Sequence, residues 1–115
     1  MLAQREERFD GPLTIERTRY GDDVIVFSLA GEFDRTAIGI GREALEPTLE
    51  KPCAMVVLDL TELEFMDSSG VELLYELARD RPGKEALRLI RSRHEGVNRV
   101  LEMTGVESVV TTVAT

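Results

Sequence analysis

The chain has few residues capable of cross-linking or of binding metal: it contains one cysteine, one histidine and no tryptophan in 115 residues. A disulfide needs two cysteines, and structural zinc sites use several cysteine or histidine ligands. Cys53 therefore supports neither within one chain. We expect no metal and no resident cofactor, and a lone cysteine is consistent with a reducing cytoplasm.

Basic residues are also scarce, with 14 Lys and Arg against 22 Asp and Glu and a formal charge of -8. This charge opposes contact with phosphate backbones and with anionic lipid. The first residues, MLAQREERFDG, contain no apolar signal core, and the longest hydrophobic run is the six residues 53–58. We expect a cytoplasmic protein that binds neither nucleic acid nor membrane.

Hydrophobic residues make up 43% of the chain, which is enough for the core of one domain of this size. Residues 1–12 are polar and end in the turn-forming cluster Asp10-Gly11-Pro12. We therefore predict a flexible N-terminal leader over residues 1–12 and a single domain over residues 13–115.

The hydrophobic pattern predicts alternating strands and helices. Apolar runs at 24–30 and 55–60 are typical of strands in the middle of a sheet, and an amphipathic helix follows residue 67. A first helix is predicted over residues 34–49, and Pro47 should end it early. Pro82-Gly83 should stop the helix that follows residue 67, and the last strand should span residues 109–113. The predicted order is β-β-α-β-α-β-α-β, an α/β domain with a mixed, mostly parallel sheet and an antiparallel edge strand.

The stretch FMDSSGVE, residues 65–72, offers three interpretations of its two serines. Ser69 with Glu72 three residues later spells a capping box at a helix start, so Ser69, alone or together with Asp67, is predicted to cap the helix. A serine nucleophile would need a nearby base and a G-x-S-x-G turn, but Met66 replaces the first glycine. The only histidine, His94, lies in a charged stretch typical of a solvated loop. The sequence does not favour an enzyme.

A second pattern, Gly39-Ile40-Gly41-Arg42-Glu43-Ala44, matches the dinucleotide fingerprint, with Asp59 downstream. In that motif the first glycine directly follows a strand. Here eight residues separate Gly39 from the predicted strand, so we interpret the match as accidental.

The third interpretation of the serines is a phosphoacceptor. A hydroxyl exposed at a helix start can carry a phosphate that the helix N–H groups stabilise. A phosphate at Ser68 would add a charge of about -1.5 to -2 beside Asp67. Such a switch needs no catalytic machinery in this chain.

Four landmarks give the sequence a resemblance to the STAS domain family, and within it to the stand-alone bacterial anti-sigma factor antagonists. They are Gly31-Glu32-Phe33-Asp34, Val56-Val57-Leu58-Asp59-Leu60, Phe65-Met66-Asp67-Ser68-Ser69-Gly70 and Met103-Thr104-Gly105-Val106. They occur in family order over residues 13–113.

The resemblance implies a protein that binds an anti-sigma factor, itself a serine kinase of the histidine-kinase-like ATPase fold, and so releases a sigma factor. The kinase would bind the ATP and phosphorylate Ser68, and a PP2C-type phosphatase would reverse the switch. The resemblance also implies the residues of the docking face. These are Glu32, Phe33, Asp34, Asp67, Ser69, Gly70 and Glu72.

Glu72 departs from the family pattern, because members often carry a small residue at this position. The added charge bears on the choice of kinase. An alternative function is a STAS scaffold or accessory subunit, in a stressosome-like or lipid-transport complex without sigma control. Retention of residues 67–70 favours the switchable antagonist, which we expect to be a monomer when free.

Overall fold

A computed structural model describes residues 3–49, 55–80, 87–108 and 110–113. This part contains six strands and three α-helices. The strands are β1 (Ala3–Phe9), β2 (Leu13–Tyr20), β3 (Val24–Phe33), β4 (Met55–Met66), β5 (Leu87–Ile90) and β6 (Thr111–Val113). The helices are α1 (Ile38–Leu49), α2 (Ser68–Asp80) and α3 (Glu95–Thr104), and short 3₁₀ turns span Arg35–Ala37 and Val106–Ser108.

The strands form one sheet in chain order, from β1 to β6. The first three strands pair antiparallel, whereas β3 to β6 pair parallel. Strands β3 and β4 occupy the middle of the sheet, as their apolar runs predict. The α/β fold class is confirmed, with two antiparallel pairings at one side of the sheet.

Burial alternates along the central strands because the helices pack on one face of the sheet. Ile25, Phe27 and Leu29 of β3 are almost completely buried, while their neighbours Val24 and Val26 are only partly buried. Parallel strands connected in chain order by right-handed crossovers place their helices on the same side. The other side of the sheet is therefore the more accessible one.

Residues Ala3–Phe9 correct the prediction of a loosely held leader, because they form the edge strand β1 against β2. Six of the seven residues are exposed, so burial patterning gives little sign of the strand. Ladder hydrogen bonds and cross-strand ion pairs hold it instead, such as Arg5 to Glu16 at 3.2 Å and Arg19 to Glu6 at 2.7 Å.

The prediction that Pro47 ends the first helix early is wrong, because α1 continues to Leu49. Pro47 lies in the last turn and is exposed. At this position it removes one main-chain donor near the end of the helix rather than interrupting a long ladder.

Three other predicted features lie wholly or partly outside the described residues. Cys53 is one of them, and the predicted stop of α2 at Pro82-Gly83 is another. The last predicted strand, 109–113, is described as Thr111–Val113, and Val109 itself lies outside.

Candidate functional site

The serine motif lies where two parallel strands end side by side. Glu32 pairs with Phe65 and Phe33 pairs with Met66 in the register of β3 and β4. Asp34 and Asp67 directly follow these strand ends. The Asp67 N–H also donates to the Phe33 carbonyl at 3.3 Å, which ties the two turns together. In α/β sheets the carboxyl edge of the strands is the usual place for binding sites.

The backbone that leads into this edge depends on Gly31. Its φ of 94° is in the left-handed region, which a side chain disfavours. A Cβ atom at this position would also overlap the Pro12 carbonyl oxygen. That same oxygen accepts a hydrogen bond from the Glu32 N–H at 3.0 Å. Glycine is therefore required at residue 31 for the end of β3 to approach Pro12.

Asp67, rather than Ser69, caps helix α2. The Ser69 N–H donates to the Asp67 Oδ1 at 2.9 Å, and the Val71 N–H donates to the Asp67 carbonyl at 3.3 Å. Ser69 therefore lies inside the first turn, and the predicted capping box of Ser69 with Glu72 is wrong. A carboxylate at the N-cap satisfies a free N–H and complements the helix dipole.

Ser68 is the first residue of α2, and it is exposed. Within the described part of the chain, its hydroxyl forms no hydrogen bond. Asp67 supplies the side-chain cap of α2, so the Ser68 hydroxyl does not act as the cap. It stands at the helix start as an exposed hydroxyl group.

The turn after β3 is built in the same way around Asp34. Its Oδ1 accepts from the Thr36 N–H at 3.0 Å and from the Thr36 hydroxyl at 2.6 Å. The hydroxyl bond is the largest cause that lowers the pKa of Asp34 below its ordinary value. Asp34 is therefore a charged N-cap of the 3₁₀ turn that precedes α1.

Two of the residues predicted for the docking face form its buried floor. Phe33 is 0% exposed, and Gly70 is buried above it. A Cβ atom on Gly70 would lie 2.9 Å from the Met66 Cγ and 3.0 Å from the Phe33 carbonyl oxygen. Contact of Phe33 and Gly70 with a partner is thus not available in this conformation. Their close packing sets the distance between α2 and the sheet.

The exposed rim contains one apolar residue that the sequence analysis did not select. Phe65 is 48% exposed at the end of β4, beside the exposed carboxylate of Glu32. Alternation along β4 does not reveal this exposure, because Leu63 and Met66 are both buried although they are three residues apart. Glu72 is exposed one helical turn after Ser68.

Helix α1 is fixed against α2 by an ion pair next to the site. Arg42 donates to the two carboxylate oxygens of Glu76 at 2.7 and 3.1 Å, and it also contacts Glu46 at 3.2 Å. The bidentate contact lowers the pKa of Glu76 and raises that of Arg42. Gly41 permits the close packing, because a Cβ atom there would lie 2.9 Å from a Leu73 methyl carbon.

The other candidate motifs lie elsewhere. The pattern Gly39 to Ala44 is contained within helix α1, so its first glycine does not follow a strand. His94 is exposed ahead of α3, as expected for a solvated residue. A cleft of about 230 Å³ opens beside the register shift between β3 and β4. Its lining residues are Ser28, Leu29, Ala30, Asp59, Thr61 and Glu62.

Two further kinds of feature are absent from the described ranges. Among these residues no three His, Cys, Asp or Glu side chains are grouped so that they could hold a metal ion. None of the described helices is both long enough and apolar enough to span a membrane.

The fold and the serine turn at the carboxyl edge define a STAS domain. Residues 15–115 match the STAS domain family, and the chain belongs to that family. An anti-sigma F factor antagonist of Paenibacillus polymyxa is 30% identical to the chain over 86 residues, which is 71% of each protein.

Solved structures with the same fold include an anti-sigma factor antagonist from Mycobacterium paratuberculosis, with a TM-score of 0.79 and 20% identity over 87% of this chain and 84% of that one. The anti-sigma factor antagonist SpoIIAA in its unphosphorylated form has a TM-score of 0.69 and 21% identity, over 86% and 87% of the two chains. The phosphorylated form of SpoIIAA, described as a Bacillus cell fate determinant, gives 0.61 and 20% over 86% and 90%.

Proposed function

We propose that this STAS domain is an anti-sigma factor antagonist. It binds an anti-sigma factor that is itself a serine kinase of the histidine-kinase-like ATPase fold, and a sigma factor is released. The names of its relatives support this general role. The observation that carries the proposal is the accessible Ser68 hydroxyl beside Asp67. Among the described residues, Asp67 is the one whose side chain caps α2.

The switch is phosphorylation of Ser68 by the anti-sigma kinase. The Ser68 Oγ attacks the γ-phosphorus of the kinase-bound ATP, ADP leaves, and the hydroxyl proton is lost to the kinase or solvent. The product carries a charge of about -1.5 to -2 at the start of α2. A PP2C-type phosphatase hydrolyses the ester and restores the free hydroxyl.

The docking face consists of the exposed and partly exposed groups around Ser68. Glu32, Asp34, Asp67, Ser69 and Glu72 surround it. Phe65 adds the exposed apolar area that interfaces commonly use as an anchor. Phe33 and Gly70 support this face from below.

Phosphorylation adds charge to a face that is already acidic, so it weakens binding to any partner that fits the unmodified face. Like charges brought together at an interface oppose association. The chain itself contributes binding and no catalysis, and ATP belongs to the kinase. We place this cycle in the cytoplasm, with the free antagonist a monomer that binds neither nucleic acid nor membrane.

The test is intact-mass spectrometry after incubation with ATP and each anti-sigma kinase encoded in the same genome. We expect one added phosphoryl group on the wild type and on Ser69→Ala, and none on Ser68→Ala. Ser69→Ala is the matched control because it removes the neighbouring hydroxyl and leaves the Asp67 cap intact.

Transfer to Ser69, or equal transfer to the wild type and Ser68→Ala, would reject Ser68 as the acceptor. Absence of transfer with every active kinase would favour the scaffold or accessory-subunit function over sigma control.

A further inference from the structure

We propose that Arg35 is the counter-ion of the phosphate on Ser68. This inference rests on the proposed function, because it concerns the phosphorylated state of that same serine. The ion pair would join the turn after β3 to the start of α2. Phosphorylation would then add an ion pair across these two turns of the docking face, in addition to changing its charge.

The backbone places Arg35 and Ser68 just beyond the ends of two neighbouring strands, Arg35 in the 3₁₀ turn after β3 and Ser68 at the start of α2. Phe33 pairs with Met66 at the ends of β3 and β4, and each of the two residues stands two positions further along its chain. Neighbouring strands lie roughly 4.8 Å apart. The hydrogen bond from the Asp67 N–H to the Phe33 carbonyl keeps the chains together beyond the last pair.

Arg35 is exposed, and no described residue forms a hydrogen bond or an ion pair with its guanidinium group. Two other arginines follow a parallel strand, β5, whose last residue pairs with Asp59 in the middle of β4. Arg91 binds Glu107 at 2.7 Å and Glu102 at 3.3 Å, and Arg93 binds Glu62 at 3.0 Å. Of these three cations, Arg35 is the one whose guanidinium group is available for a new anion.

The charged groups around Ser68 otherwise have the same sign as a phosphate. Asp67 precedes it and Glu72 lies one helical turn later. On the neighbouring chain segment, Glu32 lies at the end of β3 and Asp34 directly follows it. A guanidinium group can offer two parallel N–H donors to phosphate oxygens. Arg35 is therefore suited to offset repulsion that the surrounding carboxylates impose on the modified serine.

The direct test is a ³¹P NMR titration of protein carrying phosphoserine at residue 68, introduced during translation. A nearby cation favours the doubly charged phosphate and lowers its second pKa, which is about 6 in the absence of neighbours. We expect Arg35→Gln to raise this pKa by roughly 0.5 or more at low salt. Arg35→Lys should restore part of the difference, because lysine keeps the positive charge but lacks the two parallel N–H donors.

Arg99→Gln is the matched control, since Arg99 is an exposed arginine on α3 and its loss changes the net charge equally. It should leave the phosphate pKa within about 0.2 of the wild-type value. Equal titration curves for the wild type and Arg35→Gln, or equal shifts for Arg35→Gln and Arg99→Gln, would overturn the proposal.

The titration is independent of any kinase because the phosphoserine is encoded. If the kinase assay fails while Arg35→Gln shifts the pKa, the proposed function is wrong and the local ion pair stands. If the kinase modifies Ser68 while the pKa does not move, the function stands and Arg35 has no part in it.

Discussion

The turns after β3 and β4 have the same design and different outcomes. Each begins with an aspartate whose Oδ1 accepts from the N–H two residues later, Thr36 in one case and Ser69 in the other. In the first turn the hydroxyl of Thr36 also donates to the aspartate. In the second, within the described structure, the hydroxyls of Ser68 and Ser69 form no hydrogen bond.

This difference separates a hydroxyl group that stabilises its turn from hydroxyl groups that remain accessible. The Asp34 turn uses its hydroxyl to hold a charged cap, whereas the Asp67 turn leaves both hydroxyls available. One carboxylate is sufficient to start a helix. A chain that caps with aspartate can therefore place a reactive serine at the first helical position without loss of stability.

The largest expected effect comes from removing the floor that both turns share. Phe33→Ala deletes a completely buried ring below Gly70 and Gly41. We expect a loss of about 3–5 kcal/mol in the free energy of unfolding, measured by urea titration. Phe65→Ala, at the exposed edge, should cost about 1 kcal/mol or less. Similar losses for the two variants would contradict this division between floor and rim.

A smaller effect is expected when only the start of α2 is displaced from the sheet. Gly70→Ala places a methyl group 3.0 Å from the Phe33 carbonyl oxygen, which as backbone cannot move aside easily. We expect a loss of about 1–3 kcal/mol. The control is Gly39→Ala, where nothing lies within 4 Å and the helix should gain about 0.5–1 kcal/mol. Destabilisation by both variants alike would point to helix flexibility rather than close packing.

The cap itself distinguishes the two serines from Asp67. Asp67→Ala removes the acceptor of the Ser69 N–H, and we expect a loss of about 1 kcal/mol in chemical unfolding. Ser68→Ala and Ser69→Ala should each change stability by about 0.5 kcal/mol or less. A larger loss of stability for Ser69→Ala than for Asp67→Ala would show that Ser69, not Asp67, caps α2.

The smallest effect concerns the titration of the first turn. The Thr36 hydroxyl helps to hold the pKa of Asp34 below its ordinary value of 3.8. A lowered folded-state pKa stabilises the protein fully above pH 3.8, and this contribution is lost as the pH falls through the folded-state value. Thr36→Val should therefore raise the pKa of Asp34 in an NMR titration. The difference in unfolding free energy between this variant and the wild type should be smaller at acid pH than at neutral pH.

Thr18→Val on β2 provides the control for the same change of side chain away from this turn. An unchanged pKa of Asp34 in Thr36→Val would mean that the backbone N–H alone sets the charge of that cap.

The fold could be predicted largely from the sequence because its central elements have strong periodicity. The apolar runs of β3 and β4 and the amphipathic face of α2 report burial directly. Strand β1 has no such signal: its residues are nearly all exposed, and its partners are charged groups on β2. Its existence depends on pairing across the sheet, which composition does not reveal.

The site could be predicted as a location but not in its internal arrangement. Asp, Ser and Ser at a helix start all have side chains able to cap, so residue types cannot decide which of them does so. The choice of Asp67 follows from the point at which β4 ends and α2 begins. The burial of Phe33 continues the alternation of the buried odd-numbered residues of β3. The exposure of Phe65 does not follow from alternation, because Leu63, two residues earlier on β4, is buried.

The most direct measurement of the central claim is displacement of a sigma factor from its complex with the cognate anti-sigma kinase. Purified antagonist is titrated into that complex without ATP, with serine or encoded phosphoserine at residue 68. We predict that the unmodified protein releases the sigma factor and that the phosphoserine protein needs roughly tenfold or more higher concentration, equivalent to about 1.4 kcal/mol. Equal release by both forms would contradict a switch at Ser68, and release by neither would contradict the antagonist function itself.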